Sequence, residues 1–151
     1  EADWVIAGVN DGANLGVDTH MSGTVAAARE AALLKKKAIA VSHYRLGDQA
    51  IDWTMASEWT VQVLKQLLKR PLTAGDYWNV NLPAACRTGG SPPLVDCPLD
   101  PHPLPVEYEE SNGTFLYRTP YHLRRRASGA DVDVCFSGSA SATRLSALPG
   151  S

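Results

Sequence analysis

Trp4-Val5-Ile6-Ala7-Gly8-Val9, running on through Asn10-Asp11-Gly12-Ala13-Asn14-Leu15-Gly16, is the stretch that decides how this chain folds. A short apolar run that ends in glycine and opens into a glycine-bearing loop is the pattern of a buried parallel strand entering a turn. A helix is expected next, over residues 24–34. There Ala26, Ala27, Ala28, Ala31 and Ala32 combine high helix propensity with side chains small enough to lie close on a sheet. Lys35, Lys36 and Lys37 follow at the negative end of its dipole. Residues 38–42, Ala-Ile-Ala-Val-Ser, read as a second buried strand. Residues 4–42 are therefore a βαβ unit, with a right-handed crossover expected.

Further out, Met55, Trp59, Val63 and Leu67 recur every four residues ahead of Pro71, which predicts a helix over 51–69. Residues 77–82 read as a strand closed by Pro83. Pro83, Pro92, Pro93, Pro98, Pro101, Pro103 and Pro105 then crowd one stretch, with Gly89 and Gly90 between them, which predicts a long irregular connection. Residues 106–110 and 114–121 flank Ser111-Asn112-Gly113, a hairpin signal. The alternation in Asp131-Val132-Asp133-Val134-Cys135-Phe136 predicts one more strand, turning at 137–139 into residues 140–145. The fold class is α/β. Residues 1–83 form part of its core, and 84–151 a Pro-rich loop, hairpins and a C-terminal arm.

At 151 residues, 44% hydrophobic and 20% charged, the chain has the composition of one globular domain. Fourteen Lys plus Arg against sixteen Asp plus Glu leave a net charge of −2, no electrostatic footprint for polymeric nucleic acid or an anionic membrane. No run approaches the roughly 18 apolar residues of a membrane span. Cys86, Cys97 and Cys135 are odd in number and lack CxxC spacing, which argues against a zinc site or a complete disulfide set. Cys86 and Cys97 flank one loop and would pair in an oxidising compartment; reduced thiols of a cytoplasmic protein are the expectation.

The chemistry is expected at residues 8–24, because the carboxyl end of a parallel strand is where open α/β sheets bind ligands. Gly8, Gly12 and Gly16 permit close backbone approach to an anion. Neither GxGxxG nor GxxxxGK[ST] occurs, which argues against a dinucleotide oxidoreductase and a P-loop. The helix opens on Gly23-Thr24-Val25-Ala26 with no acid in its first turn, so its amides are available to an anion, while Ser22 suits both an N-cap and a phosphate contact. Asn10 and Asn14 either cap turns or offer an oxygen to a hard cation that carboxylates from elsewhere must complete. Asp11 and Asp18 are expected in solvent, His20 as incidental, and Arg124-Arg125-Arg126 as a solvated face or protomer contact.

At this loop the sequence resembles the SurE family, whose signature S-G-[IV]-N-x-G-x-N-x-G-x-D followed by Y-S-G-T-V stands here as residues 7–18 and 21–25. Ala7 and Met21 replace the usual serine and tyrosine. The resemblance implies a Rossmann-like three-layer core with a protruding β-hairpin and an extended arm exchanged between protomers of a homodimer or homotetramer. It implies a nucleoside monophosphate phosphatase using one divalent ion, Mg²⁺, Mn²⁺ or Ca²⁺. Asn10 would ligate the metal, with Asn14, Ser22, Gly23 and Thr24 lining the phosphate site. The family's adjacent metal-binding aspartates have no counterpart, since no Asp-Asp dipeptide occurs in the chain. The chain is therefore expected to be N-terminally truncated and inactive alone. The alternative is a non-catalytic phosphate- or nucleotide-binding module.

Overall fold

The computed structural model describes residues 2–87, 89–118 and 121–148. The expected βαβ unit is present as β1 (Trp4–Asp11), α1 (Gly23–Leu33) and β2 (Lys37–His43). α2 (Trp53–Leu67) follows, started by Asp52, whose carboxylate accepts from the amides of Thr54 and Met55 at 3.0 and 3.1 Å. β3 (Asp76–Leu82) pairs parallel to β2, as β2 does to β1.

Beyond β3 the sheet changes sense. β7 (Ala140–Ser146) runs antiparallel beside β3, and β4 (Leu94–Asp96) closes the order β1-β2-β3-β7-β4. Strands from both sides of residue 83 thus share one sheet, and residues 140–146 lie in the sheet of their own chain. Helices cover both faces. α1 sets Val25, Ala28, Ala31 and Ala32 on Ala38, Ala40 and Tyr77. On the other face, Trp59, Val63 and Leu67 of α2 pack on Ile39, Val41, Trp78, Val80 and Leu82. The architecture is a three-layer, Rossmann-like α/β fold.

Gly8 is fixed by space as well as by conformation. Its φ is +111°, and a Cβ there would sit 2.1 Å from the Val41 carbonyl oxygen. The pairing of β1 with β2 shifts register at this place, between Ala7 and Asn10.

Three expectations need correction. Asp131–Phe136 is a helix, α3, and not a strand. Six residues are too few to fix a period of two. Burial falls instead at Asp131, Val132, Val134 and Cys135, the three-residue spacing of one helical face, with Asp131 and Asp133 favoured in a first turn. The Pro-rich connection is not wholly irregular, because it contributes β4. The hairpin is shorter than expected, β5 (Tyr108–Ser111) and β6 (Thr114–Tyr117), with Asn112 and Gly113 both at positive φ. All eight strand residues are exposed, so the hairpin protrudes; residues 119 and 120 of the expected second strand lie outside the described residues.

No helix among the described residues is long and apolar enough to cross a membrane. Cys97 Sγ lies against Ala142 O and Thr143 Oγ1, at 3.9 and 3.7 Å, and no disulfide joins it to Cys86.

Candidate functional site

The pairing register lines up a row of polar residues across the sheet at the carboxyl ends of the parallel strands: Asn10 opposite Ser42, Ser42 opposite Asn81, and Asn81 opposite Ser141. Asn14, on the loop above, is locked to this row. Its amide donates to Asn81 Oδ1 at 2.7 Å, its carbonyl accepts from Asn79 and Asn81 Nδ2 at 2.9 and 3.1 Å, and its Nδ2 donates to Ser42 Oγ at 2.6 Å. Both backbone groups and the side-chain nitrogen are thereby used. Among the described residues no hydrogen bond reaches Asn14 Oδ1, which is left as the working end of the side chain.

Asn10 is oriented the same way. Its Nδ2 donates to Gly12 O at 2.8 Å and Asp11 O at 3.2 Å, so both turn-capping and an available oxygen are realised in one residue. Ser22 performs the N-cap: its Oγ accepts from the Val25 amide at 3.1 Å, and its hydroxyl hydrogen stays available to a ligand. Among the described residues no protein acceptor meets the amides of Gly23 and Thr24. These are first-turn donors at the positive end of an 11-residue helix, the arrangement that holds anions. The structure therefore places Asn10 and Asn14 together around Ser42, with Ser22, Gly23 and Thr24 where the same loop enters α1. His20 is exposed.

What sequence reasoning missed is how the loop is held. Gly16, at φ +55°, donates its amide to Asp131 Oδ2 at 2.8 Å, and a Cβ there would press on Arg124 and Asp100 at 3.1 Å. Asp131 also accepts from the Asp100 and Val132 amides. Burial raises the Asp131 carboxyl above its ordinary range, opposed by those amides. Burial would raise Asp100 too, but the amides of His102 and Ala127 and the His102 ring bring it below its ordinary value.

Asp18 and Arg124 depart from expectation. Asp18 is not a solvated surface acid: it pairs with Arg124 at 3.0 Å and accepts the hydroxyl of Tyr121. Arg124 is 3% exposed, reaches Leu15 O at 3.4 Å, and lies 5.1 Å from the Tyr121 ring centre. Burial, then the Asp18 carboxylate, pushes the Tyr121 phenol far up, so it stays a donor to Asp18. Of the basic run, Arg124 is thus an internal strut, whereas Arg125 and Arg126 remain exposed. The only sequence signal was local, the run of three arginines, and it did not show which one turns inward.

On the flank of the loop lies a cavity of about 360 Å³, with Gly12, Ala13, Tyr44, Arg45, Tyr121 and His122 in its wall. As a cation site the loop is incomplete. Asn10 offers one neutral oxygen, and no group of three His, Cys, Asp or Glu among the described residues is arranged to hold a metal ion. The residues present fit an anion and do not fit a divalent ion unaided.

Comparisons with known proteins point to one family. The sequence profile of Survival protein SurE matches residues 1–92. A protein of Nostoc sp., provisionally named a 5′-nucleotidase, is 46% identical over 145 residues, 96% of this chain and 64% of the relative. A 5′-nucleotidase SurE of Geotalea daltonii is 40% identical over 93 residues, 62% of this chain and 37% of the relative. The crystal structure of the SurE protein from Aquifex aeolicus superimposes with a TM-score of 0.72 at 25% identity, covering 97% of this chain and 60% of that one. The chain spans 64% of the length of the Nostoc relative.

Proposed function

The chain belongs to the SurE family, and from that premise we propose that the whole protein is a phosphatase that hydrolyses nucleoside monophosphates with the help of one divalent ion, Mg²⁺, Mn²⁺ or Ca²⁺. The observation that carries this is the pair of α1 amides, Gly23 and Thr24, that no acceptor among the described residues meets, beside a loop whose two asparagines have their nitrogens tied down and, among the same residues, their oxygens left over. A phosphoryl group seated there meets backbone donors and a hydroxyl fixed before it arrives. Donors fixed in advance lower the cost of charge that builds on the phosphoryl oxygens during transfer. Asn14 is braced by Ser42, Asn79 and Asn81, so it orients the group without rearranging.

The carboxylates that a divalent ion requires are assigned to sequence beyond these 151 residues, as the family resemblance implies, and the chain alone is expected to bind phosphate without turnover. Self-association belongs to the same proposal. The hairpin leaves Tyr108, Phe115 and Tyr117 exposed, an apolar surface suited to a second copy. A reducing, cytoplasmic setting accords with Cys97 lying against Ala142 and Thr143.

The test is phosphate release from a nucleoside monophosphate by the full-length protein, with Mn²⁺ and with chelator. Release should require the metal and fall about 100-fold in Asn10→Ala, the order of loss for one fixed polar group in such a site. Release that ignores both chelation and the Asn10 substitution would refute the assignment.

A further inference from the structure

We propose that Asp131 is a positioning residue of the phosphate site: its carboxylate latches the glycine loop while it is charged and lets the loop go when it is protonated. This names a regulation of the phosphate site and rests on the phosphatase reading. The loop has two separate holdings. Asn14 is tied from the sheet, by Ser42, Asn79 and Asn81. The short helical turn that follows, Gly16–His20, is tied from the C-terminal third of the chain, by Gly16 to Asp131 at 2.8 Å and by Asp18 to Arg124 at 3.0 Å. That turn spans the gap between the asparagines and the α1 amides. Its anchors therefore set how the two halves of the phosphate cradle face each other.

Asp131 is fully buried at the start of α3, and among the described residues no ion pair engages it. Its Oδ1 accepts from the Asp100 and Val132 amides at 2.8 and 2.9 Å, and its Oδ2 accepts from Gly16. Asp100 faces it across one of those bonds, with the His102 ring 2.9 Å from the Asp100 carboxylate. The thiols of Cys97 and Cys135 also feel its charge. Arg124 stands beside Gly16, but its guanidinium is engaged by Asp18. Burial raises the Asp131 carboxyl above the ordinary 3.8, whereas Asp100, despite its own burial, is brought below the same value by the amides of His102 and Ala127 and by the His102 ring. Of these two buried acids, Asp131 takes up a proton first as pH falls. The proton belongs on Oδ2, which meets one donor where Oδ1 meets two. An O–H there faces the Gly16 N–H, donor against donor, and the anchor is lost. The folded value lies above the unfolded one, so uptake of this proton favours the folded state as pH falls. The fold is kept while the loop is released, which distinguishes a latch from a merely structural acid.

The experiment uses the full-length protein and Asp131→Asn, an isostere of the protonated acid that presents N–H to Gly16 at every pH. The readouts are affinity for inorganic sulfate, a dianion throughout the window, and the amide resonance of Gly16, both followed from neutral pH down to the ordinary carboxylate range. Wild-type affinity should fall about 10-fold as the Gly16 resonance shifts, the loss expected when one charge-assisted hydrogen bond goes. Asp131→Asn should bind about 10-fold more weakly already at neutral pH and show no such fall. A variant that follows the wild-type profile overturns the latch, as does a Gly16 resonance that stays still while affinity changes. If Asp131→Asn does not fold, the wild-type resonance decides alone. If the wild type binds no sulfate at any pH, the phosphate-site reading fails, and the resonance again decides: a shift through the window retains the latch, and its absence overturns it.

Discussion

The two faces of the sheet are built from the same strands and serve opposite ends. On the α2 face, β2 and β3 present Ile39, Val41, Trp78, Val80 and Leu82, large side chains whose burial contributes about 1.5–3 kcal/mol each. On the α1 face the alternate residues are Ala38, Ala40 and Ser42, then Tyr77, Asn79 and Asn81: small at one end, polar at the other. The period of two therefore separates stability from recognition within single strands. The face poor in apolar bulk carries the site, and compensates with hydrogen bonds to Asn14 and with struts from residues 100–131.

The sharpest way to break this division is Trp59→Ala, which empties the α2 face. It should cost about 4 kcal/mol by urea denaturation while leaving nucleotide affinity of the remaining folded fraction nearly unchanged. Arg124→Met strips the partner from Asp18 beneath the loop and should cost about 3 kcal/mol, with affinity lost as well; a double-mutant cycle with Asp18→Asn isolates the pair. Asn81→Ala removes two of the three bonds from β3 to the Asn14 backbone, leaving that of Asn79, and should cost about 2 kcal/mol. Its mark is the reverse of Trp59→Ala, a larger loss of phosphate binding than of stability.

The smallest effect concerns His43, on the α2 face and stacked 6.1 Å from Trp59. Its Nδ1 meets the Tyr44 carbonyl at 2.9 Å, so Nδ1 carries the hydrogen and the buried Nε2 stays unprotonated. Burial lowers its pKa below 6.5, partly offset by the Tyr44 carbonyl and Asp11. The folded state thus resists protonation. Its stabilising contribution is complete above the unfolded value near 6.5 and is lost as pH falls through the folded value, by at most about 1.4 kcal/mol per pH unit. His43→Phe should flatten the stability profile across that window; an unaltered profile would locate the pH dependence elsewhere.

α2 was legible because it is long enough to show its period, β1 and β2 as short apolar runs, α1 by its alanines, β3 by the proline that closes it, and the glycine loop because its spacing serves a local purpose. Asp131–Phe136 was misread for the lack of length, although two acids in the first turn were a usable helix signal. Beyond the run of three arginines, the struts beneath the loop carried no signal. Gly16 and Asp131 are 115 positions apart, and nothing near either residue states that they meet. Asp18 and Arg124 likewise look like surface charges until the fold closes over them.

Asn10, Ser42 and Asn81 stand side by side in fixed register. Lengthening β2 by one residue would rotate Ser42 to the Trp59 side and bring Val41 beneath the loop. Descent in this lineage should therefore tolerate exchanges within the row but confine insertions to the loops that follow Asp11, His43 and Leu82.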